Sequence, residues 1–377
     1  MSTLEPAGMP PWLRQALELR DLTDTAAGPH AVQLVVSLLE QALTRAWAVP
    51  VRRDPGPRVL SVADNYDRLR YSADAATRDR RYTRYVGDGL MLRSHTSARI
   101  PALLRAIAAT DPAELVLSVP GVCYRRDVID RQHVGEPHQM DLWLVRSDGP
   151  PLVEPDLEAM VGTIVDAVLP GRHWQIPPTE HPYTLAGREI HVEAGSGLIE
   201  VGECGLAHPE VLTAAGLPAG SSGLAMGLGL DRLVMLAKDV DDIRLLRSTD
   251  PRVATQMLDL APYRPVSSMP AARRDLSVAV PDGWDAELIG DRVRHVLGLD
   301  AGSVEEVLVL SETVYENLPD SARARIGIAP GQKNVLVRLL LRDLTRTLSS
   351  AEANHWRDRV YAGLHDGDVS QWAAGPA

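Results

Sequence analysis

Residues 121–145 read GVCYRRDVIDRQHVGEPHQMDLWLV, and the interpretation of this 377-residue chain starts from them. Apolar, β-branched and aromatic residues predict two strand segments, around Val122–Tyr124 and Leu142–Val145. The segment between them predicts a polar loop that carries Arg125, Arg126, Asp127, Asp130, His133, His138, Gln139 and Asp141. This composition is typical of either a hairpin that binds a polyanion or an exposed hairpin with a solvated loop.

A second stretch, SSGLAMGLGLDRLVML at residues 221–236, favours the interpretation that the hairpin binds an anion. Small residues at Gly223, Ala225, Gly227 and Gly229 allow the backbone to approach a ligand closely. A helix-like apolar run follows and carries a single arginine, Arg232. The glycine spacing is not G-x-G-x-x-G, which argues against a dinucleotide-binding fold. An arginine in an apolar helix either extends to water or faces an anion, and the arginine-rich hairpin upstream favours the anion.

These residues resemble the class II aminoacyl-tRNA synthetases. Tyr124-Arg125-Arg126-Asp127 with His138-Gln139-Met140-Asp141 is similar to motif 2 in the form found in phenylalanyl-tRNA synthetase. GLAMGLGLDRL is similar to motif 3, and Leu92-Arg93-Ser94-His95-Thr96-Ser97 is similar to the amino-acid-binding segment. The motifs occur in the right order over most of the chain, and the chain resembles the single-chain, organellar type with a C-terminal ferredoxin-fold anticodon-binding domain.

The resemblance implies an α+β fold, with an antiparallel-sheet catalytic core followed by a ferredoxin-like α/β sandwich. We expect an N-terminal extension at 1–27, the catalytic domain at 28–260, a linker at 261–265, the anticodon-binding domain at 266–366 and a tail at 367–377. Apolar periodicity predicts a helix over His30–Trp47. In the C-terminal part it predicts the order β-α-β-β-α, over Arg274–Val280, Leu288–Leu297, Val304–Leu310, Lys333–Leu341 and Ser350–His365. Ser349 with Glu352 fits a capping box at the last helix.

The chemistry implied is adenylate formation, in which the carboxylate of an amino acid attacks the α-phosphorus of ATP. Guanidinium groups and Mg²⁺ stabilise the charge that grows on the phosphate oxygens. The resemblance assigns Arg125 to the α-phosphate and Arg232 to the γ-phosphate as the catalytic pair. A carboxylate nucleophile requires no general base, which agrees with the lack of a Ser/His/Asp constellation in the sequence. Further ATP contacts are implied for Asp127, His133, Glu200 and Gly229, with Glu200 near the metal.

The resemblance also implies an amino-acid site. His95 and Ser97 would face the ammonium and carboxylate end, and Gln139 and Asp141 would hold the amino group. Asp141 stands where the family usually has glutamate, so its reach is shorter by about 1.5 Å. Ala225 and Gly227 would line the floor of the pocket.

The side-chain pocket departs from the family. Ile176-Pro177-Pro178 stands where phenylalanine enzymes carry Phe-Pro-Phe, so Ile176 and Pro178 lack the ring contacts that those enzymes make with their substrate. Gly202-Glu203-Cys204-Gly205 replaces Leu-Gly-Cys-Gly. An inward Glu203 has to be paired or to recognise a polar group of the substrate, whereas an outward Glu203 is only surface charge.

Composition sets limits on the partners. A net charge of -11 argues against an indiscriminate nucleic-acid binder, although a local basic face is compatible with it. Arg338, Arg342 and Arg346 are the candidate tRNA contacts, with solvated arginines as the alternative. The sequence has no membrane-length apolar run, so we expect a cytoplasmic protein. Cys123 and Cys204 lack metal spacing and are predicted to be buried thiols.

The sequence therefore predicts a phenylalanyl-tRNA synthetase-like ligase that uses ATP and Mg²⁺, activates phenylalanine or a similar amino acid, and acts on tRNA, most simply a phenylalanine-type tRNA. One alternative is a paralogue that activates a polar or modified amino acid for specialised metabolism or resistance. Another is a non-catalytic tRNA-binding protein, which the ATP-phosphate arginines disfavour. The chain contains no phenylalanine, and one hypothesis is that it must be made when phenylalanine is scarce. A monomer and a homodimer both fit the sequence.

Overall fold

A computed structural model describes residues 9–79, 82–110, 113–195, 197–266 and 270–370. The chain divides into two compact units. The first consists of Met1–Arg125, Glu136–Val240 and Met257–Pro262, and the second of Arg126–Gly135, Asp241–Gln256 and Tyr263–Ala377. Residues 1–8 of the expected N-terminal extension and 371–377 of the expected tail lie outside the described residues. The domain boundaries given above remain predictions.

The first unit is a mixed α/β structure. Its helices are α1 Pro11–Glu18, α2 Ala31–Trp47, α3 Val62–Asn65, α4 Ile100–Ala108, α5 Glu154–Val168, α6 Pro209–Ala214 and α7 Leu230–Lys238. Its strands are β1 Val51–Arg53, β2 Val59–Ser61, β3 Tyr85–Gly87, β4 Leu90–Leu92, β5 Glu114–Val122, β6 His138–Arg146, β7 Trp174–Gln175, β8 Thr184–Ala194, β9 Gly197–Ala207 and β10 Ser222–Gly229.

A seven-stranded sheet forms the centre of this unit, in the order β1-β5-β6-β10-β9-β8-β7. The β1–β5 pair is parallel and the other neighbours are antiparallel. β2, β4 and β3 form a separate three-stranded sheet. The antiparallel character predicted for the core is therefore confirmed.

Helices α2, α5 and α7 pack together and α5 and α7 contact the large sheet. In α2, the apolar residues recur at helical spacing and are buried, as the sequence predicts. These residues are Val32, Val35, Val36, Leu39 and Leu43. On the opposite face, Trp143 and Val145 of β6 and Ala225 of β10 join a second apolar cluster with residues of α4, next to the polar residues Gln139 and Asp141 of β6.

The predicted limits of the first hairpin are wrong. β5 ends at Val122 and β6 begins at His138, so His138, Gln139 and Asp141 lie in a strand and not in the loop. β6 has β5 on one side and β10 on the other, and this pairing supplies backbone hydrogen bonds that local polarity does not reveal. Tertiary pairing thus outweighs the polar character of these three residues.

The second unit contains β11 Ala272–Pro281, α9 Ala286–Leu297, β12 Val304–Val314, α10 Asp320–Ile326, β13 Gln332–Leu341 and α11 Ser350–Leu364, preceded by the short α8 Pro251–Ala254. The strands form an antiparallel sheet in the order β11-β13-β12. One apolar core joins the sheet to α9 and α11. The predicted β-α-β-β-α order is confirmed, with α10 as an additional short helix.

The capping box and the buried thiols that the sequence predicts are also confirmed. Ser349 and Glu352 form the capping box of α11. Cys123 and Cys204 are free and buried, and burial raises the pKa of each thiol to about 12. Within the described ranges, the helices are all too short or too polar to cross a membrane.

Candidate active site

A row of small residues along β10 forms the floor of the candidate site. Gly223, Ala225, Gly227 and Gly229 alternate with Leu224, Met226 and Leu228, whose side chains are buried on the other face. A Cβ atom added at Gly227 would meet only the carboxylate of Asp141, at 3.8 Å. The backbone of β10 is therefore open to a ligand on this face, as the glycine-rich stretch predicts.

Arg125 follows β5 and is fixed at the edge of this floor. Its Nε donates to the carbonyl oxygen of Ser94 at 2.7 Å, and its Nη2 donates to Oε1 of Gln139 at 3.2 Å. Gln139 is paired with Gly229 across β6 and β10. Two of the predicted site residues, Arg125 and Gln139, are thus in direct contact next to the glycine strand.

Arg232 lies in the first turn of α7, where β10 ends. Its Nη1 donates to the carbonyl oxygen of Glu200 at 2.9 Å and contacts Glu200 Oε2 at 3.1 Å. Glu200 belongs to β9, which pairs with β10. A Cβ atom at Gly229 would lie 4.0 Å from Cβ of Arg232. The structure therefore brings Arg232, Glu200 and Gly229 together at one end of the floor.

Asp141 is buried in β6 and its carboxylate is heavily hydrogen-bonded. Oδ2 accepts from Thr96 Oγ1 at 2.7 Å and from Ser97 Oγ at 3.0 Å, and Oδ1 accepts from Trp143 Nε1 at 3.3 Å. Burial is the largest influence on this carboxyl group and outweighs the hydrogen bonds, so its pKa rises to about 6. The side chain of Ser97, a predicted contact, thus reaches the site through Asp141.

His95 precedes the turn that carries Thr96 and Ser97. Its ring stacks on Tyr71, with ring centres 5.8 Å apart, and its Nε2 lies 3.4 Å from Asn65 Nδ2. Nδ1 of His95 is buried without a hydrogen-bond partner in the part of the chain that the structure describes. Burial, together with the positive charge of Arg125, lowers the pKa of His95 to about 3. The ring is therefore neutral near pH 7.

Glu203 lies in β9 and is paired across β10 with Gly227. One oxygen of its carboxylate, Oε2, is 3.0 Å from Nε2 of His181. Burial opposes ionisation of Glu203, but His181 and the charge of Arg125 outweigh it and the pKa is lowered. The pairing puts Glu203 on the same face of the sheet as Asp141, which answers the question that strand alternation leaves open.

The two pocket residues that replace the family's phenylalanines lie before β8. Ile176 is half-buried and Pro178 is exposed. Pro178 forms an isolated bridge with Arg188 of β8. These two positions therefore present no aromatic ring to the site. The aromatic rings near the site belong to other residues.

Four aromatic or imidazole side chains near the site were not predicted from the sequence. Trp143 stacks on Tyr183 with ring centres 6.1 Å apart, and Tyr183 stacks on His181 at 5.9 Å and lies 6.3 Å from Tyr71. Trp143 and Tyr183 are buried. Trp143 has a signal in the sequence, because it alternates in phase with Gln139 and Asp141 along β6.

A buried histidine, His138, connects the start of β6 to α7. His138 donates its backbone N–H to Asp231 Oδ2 at 2.8 Å, and its Nδ1 lies 2.9 Å from Asp231 Oδ1. Its Nε2 accepts a hydrogen bond from the backbone N–H of Leu22 at 3.0 Å. His138 and Asp231 directly precede Gln139 and Arg232 in the chain, so this contact links two of the predicted site residues.

The remaining candidates belong to the second unit. Asp127 accepts from Arg294 through its backbone oxygen, and Nδ1 of His133 contacts Asp130 at 2.7 Å. The three candidate tRNA contacts all pair with carboxylates of this unit. Arg338 pairs with Asp275, Arg342 with Glu305, and Arg346 with Asp343 and Glu352.

Comparison with known proteins identifies a shared domain. Residues 23–257 match the model of the tRNA synthetases class II core domain (F). The phenylalanine--tRNA ligase alpha subunit of Gloeobacter violaceus is 30% identical over 214 residues, which cover 53% of this chain and 61% of that protein. The corresponding subunit of Clostridium beijerinckii is 34% identical over 238 residues, covering 60% of this chain and 68% of the relative.

A further relative matches over more of the chain. The probable mitochondrial phenylalanine--tRNA ligase of Drosophila melanogaster is 27% identical over 365 residues, covering 82% of this chain and 76% of the relative. The chain spans less than two thirds of the length of the Gloeobacter subunit. The matched range 23–257 includes Arg125, Gln139 and Arg232, together with the elements β5, β6, β10 and α7. The chain belongs to the class II tRNA synthetase core-domain family.

Proposed function

We propose that this protein activates an amino acid with ATP and transfers it to tRNA, the reaction named for its phenylalanine--tRNA ligase relatives. The observation that carries the proposal is the pair of arginines at the open face of β10, with Arg125 fixed by Ser94 and Gln139 and Arg232 fixed by Glu200. A pure tRNA-binding protein has no need of two fixed guanidinium groups beside a glycine strand.

The two arginines have separate tasks in the proposal. Arg125 holds the α-phosphate, where the carboxylate of the amino acid attacks, and Arg232 holds the γ-phosphate. The planar fork of a guanidinium group binds two oxygens and stays charged, so it stabilises the phosphate oxygens as their charge grows. Hydrogen bonds to Ser94 and Glu200 orient the forks before the substrate arrives.

The site fits ATP with Mg²⁺. The bare backbone at Gly229 leaves room for part of the nucleotide, and Glu200 offers a carboxylate next to Arg232. The described residues contain no cluster of three or more His, Cys, Asp or Glu side chains arranged for a metal. Mg²⁺ commonly binds through one or two carboxylates and the substrate phosphates, so Glu200 suffices as a protein ligand. The metal supplies charge neutralisation at the phosphates.

The amino acid occupies the centre of the same face in the proposal. Its ammonium group lies near Gln139 and Asp141, and Ser97 and His95 border that end. Asp141 is held by Thr96 and Ser97, so a substrate ammonium reaches a carboxylate that is already oriented. The neutral ring of His95 avoids repelling this ammonium group. Ile176, Pro178, Ala225 and Glu203 border the side chain.

The second unit supplies the tRNA contacts in the proposal. Apart from the short helix α10, its β-α-β-β-α order is that of the first five elements of a ferredoxin-like domain. Arg346 is exposed and Arg338 is half-buried, and both reach solvent and suit phosphate contacts, while Arg342 is bound to the buried carboxylate of Glu305.

Two candidate amino acids are in competition. The relatives favour phenylalanine or a close analogue, carried by a phenylalanine-type tRNA. The replacement of two rings by Ile176 and Pro178, with Glu203 facing the same side as Asp141, favours a polar amino acid.

Aminoacylation of total tRNA tests the proposal. The purified protein is incubated with ATP, Mg²⁺, total tRNA and single amino acids, and the charged tRNA is separated on acid gels. We expect charged tRNA with one amino acid or a small group, and none with the Arg232→Ala variant. Failure of the folded wild-type protein to charge any tRNA with any of the twenty amino acids would remove tRNA transfer from the proposal.

A further inference from the structure

Two carboxylates flank a glycine at the centre of the candidate site. Asp141 pairs with Gly227, and Gly227 pairs with Glu203, so the three residues form one row across β6, β10 and β9. Neighbouring strands lie about 4.8 Å apart, which puts the Cα atoms of Asp141 and Glu203 about 10 Å from each other. Both side chains project from the same face and shorten this distance. The space over Gly227, between the two carboxylates, is therefore wide enough for a small molecule.

The two carboxylates differ in how many partners they have. Asp141 is buried and accepts hydrogen bonds from Thr96, Ser97 and Trp143. The side chain of Glu203 is 46% exposed, and one of its oxygens contacts His181. A carboxylate accepts about four hydrogen bonds, so Glu203 retains capacity toward the open face. A substrate that covers Glu203 without donating a hydrogen bond leaves a desolvated charge, which is strongly unfavourable.

Aromatic rings close the pocket beyond Gly227. Trp143 pairs with Ala225, the next small residue of the floor, and is fully buried. Tyr183 stacks on Trp143, and Tyr71 lies beside Tyr183. These rings occupy the space next to the floor where a long side chain would extend. The substrate side chain is therefore limited to the short span between Asp141 and Glu203.

We propose that Glu203 selects an amino acid whose short side chain ends in an N–H or O–H donor, as in β-hydroxy and β-amino α-amino acids, and rejects phenylalanine. The inference rests on the proposed activation reaction and specifies its substrate class. The α-ammonium group faces Gln139 and Asp141, and the side-chain donor binds Glu203 across Gly227. His181 holds the Glu203 carboxylate in place from the other side.

Substrate pairs that differ by one group test this inference. The measured quantity is kcat/KM for the amino acid in ATP–pyrophosphate exchange. Serine and 2,3-diaminopropionate are each compared with 2-aminobutyrate, which has a methyl group in place of the donor, and with phenylalanine. For the wild-type protein, we expect at least one donor-bearing amino acid to exceed 2-aminobutyrate by about 10²-fold or more, because a site built for a donor leaves a buried acceptor unpaired with the analogue.

Variants of Glu203 separate its role from general damage. Glu203→Met removes the acceptor and should bring the donor-bearing and methyl substrates to within about tenfold of each other. Glu203→Gln keeps the shape and one acceptor, and should lose preference for 2,3-diaminopropionate more than for serine. Glu158→Gln, at an exposed position of α5, is the matched control and should retain the wild-type ratios. If the methionine variant fails to fold, the glutamine variant and the substrate ratios of the wild type still test the role of Glu203.

The outcomes distinguish the inference from the proposed function. Fastest exchange with phenylalanine, or with any amino acid that lacks a short donor-bearing side chain, overturns the inference and leaves activation standing. Substrate ratios that stay unchanged in Glu203→Met also overturn it. A folded wild-type protein that exchanges with no amino acid removes the activation reaction itself, and the inference with it.

Discussion

Asp231 accepts two hydrogen bonds from His138, one from the backbone N–H at 2.8 Å and one at Nδ1 at 2.9 Å. Because Leu22 N–H donates to Nε2, Nδ1 is the ring nitrogen that donates to Asp231. Both side chains are buried. The contact fixes the start of β6 against the start of α7, and with them Gln139 and Arg232. We interpret His138 and Asp231 as positioning residues for Arg232, the arginine that we propose binds the γ-phosphate.

Removing the carboxylate of Asp231 tests how much its contact with His138 contributes to stability. Asp231→Ala removes the buried acceptor of two hydrogen bonds from His138, and we expect the free energy of unfolding to fall by about 2–4 kcal/mol. Urea denaturation of the full chain measures the change. Asp320→Ala removes a fully exposed first-turn aspartate from α10 and is the control. Equal stability of the Asp231 variant and the wild type would contradict the assignment.

The buried carboxyl group of Asp141 predicts a dependence of stability on pH. Its pKa is about 6 in the folded protein, against 3.8 for an ordinary aspartate, so the folded state binds a proton more tightly than the unfolded state. The wild type therefore loses stability as the pH rises from about 4 to about 6. The whole effect is about 3 kcal/mol, from 1.36 kcal/mol per pKa unit.

The side chain of the Asp141→Asn variant cannot ionise, so the variant does not lose stability in this way as the pH rises. The difference in unfolding free energy between the variant and the wild type should therefore shift in favour of the variant by about 3 kcal/mol between pH 4 and pH 7. Denaturation at several pH values measures it. A difference that is constant over this range would show that Asp141 ionises normally in the folded protein.

Two glycines of the central strands should respond differently to alanine. A Cβ atom at Gly227 meets its nearest neighbour at 3.8 Å, an ordinary contact, so Gly227→Ala should fold normally. The added methyl group lies between Asp141 and Glu203, and we expect KM for the amino acid to rise about tenfold or more. Thermal unfolding and exchange kinetics measure the two effects.

Gly202→Ala is the matched comparison in the neighbouring strand. Its Cβ atom would overlap the carbonyl oxygen of Gly227, so the backbone has to move. We expect this variant to lose about 1–3 kcal/mol of stability. Gly227→Ala with unchanged KM would contradict the placement of the substrate over this glycine.

Arginines of the second unit divide into exposed and structural ones. Arg342 contacts the buried carboxylate of Glu305 at 2.6 Å, and Arg131 contacts the same carboxylate at 2.9 Å. Arg342→Ala should therefore destabilise the protein by about 3 kcal/mol. Arg338→Ala should leave stability unchanged, because its bridge to Asp275 is solvent-exposed.

The two variants should affect tRNA binding in the opposite way: Arg338→Ala should weaken it more than Arg342→Ala does. If Arg338 contacts a phosphate, its loss weakens tRNA binding at every tRNA sequence and lowers the salt dependence by about one ion. Filter binding over a range of salt concentrations measures this. Unchanged affinity and salt slope in Arg338→Ala would leave this arginine as surface charge.

The sequence predicts those parts of the structure that depend on local patterns. The helix α2 and the elements β11 to α11 follow from periodicity, because their apolar residues face one core. The motif resemblance supplied Arg125, Gln139 and Arg232, which the fold brings to one face. The start of β6 was missed because His138, Gln139 and Asp141 are polar, and their partners lie far away in the chain.

The side-chain pocket depends on contacts that no local pattern encodes. Tyr71, Trp143 and Tyr183 lie 40 or more positions apart in the sequence and meet only through the packing of the first unit. Asp231 meets His138 across 93 positions. The orientation of Glu203 likewise follows from the register of β9 with β10, which the strand sequence alone leaves open.

Amino-acid-dependent ATP–pyrophosphate exchange by the wild-type protein and Arg232→Ala tests the central claim most directly. Arg232 is half-buried beside Glu200 and is assigned to the γ-phosphate. We expect exchange in the wild type with at least one amino acid, and a fall in rate of about 10²-fold or more in the variant at unchanged fold. Exchange at the wild-type rate in Arg232→Ala would contradict the account of this site.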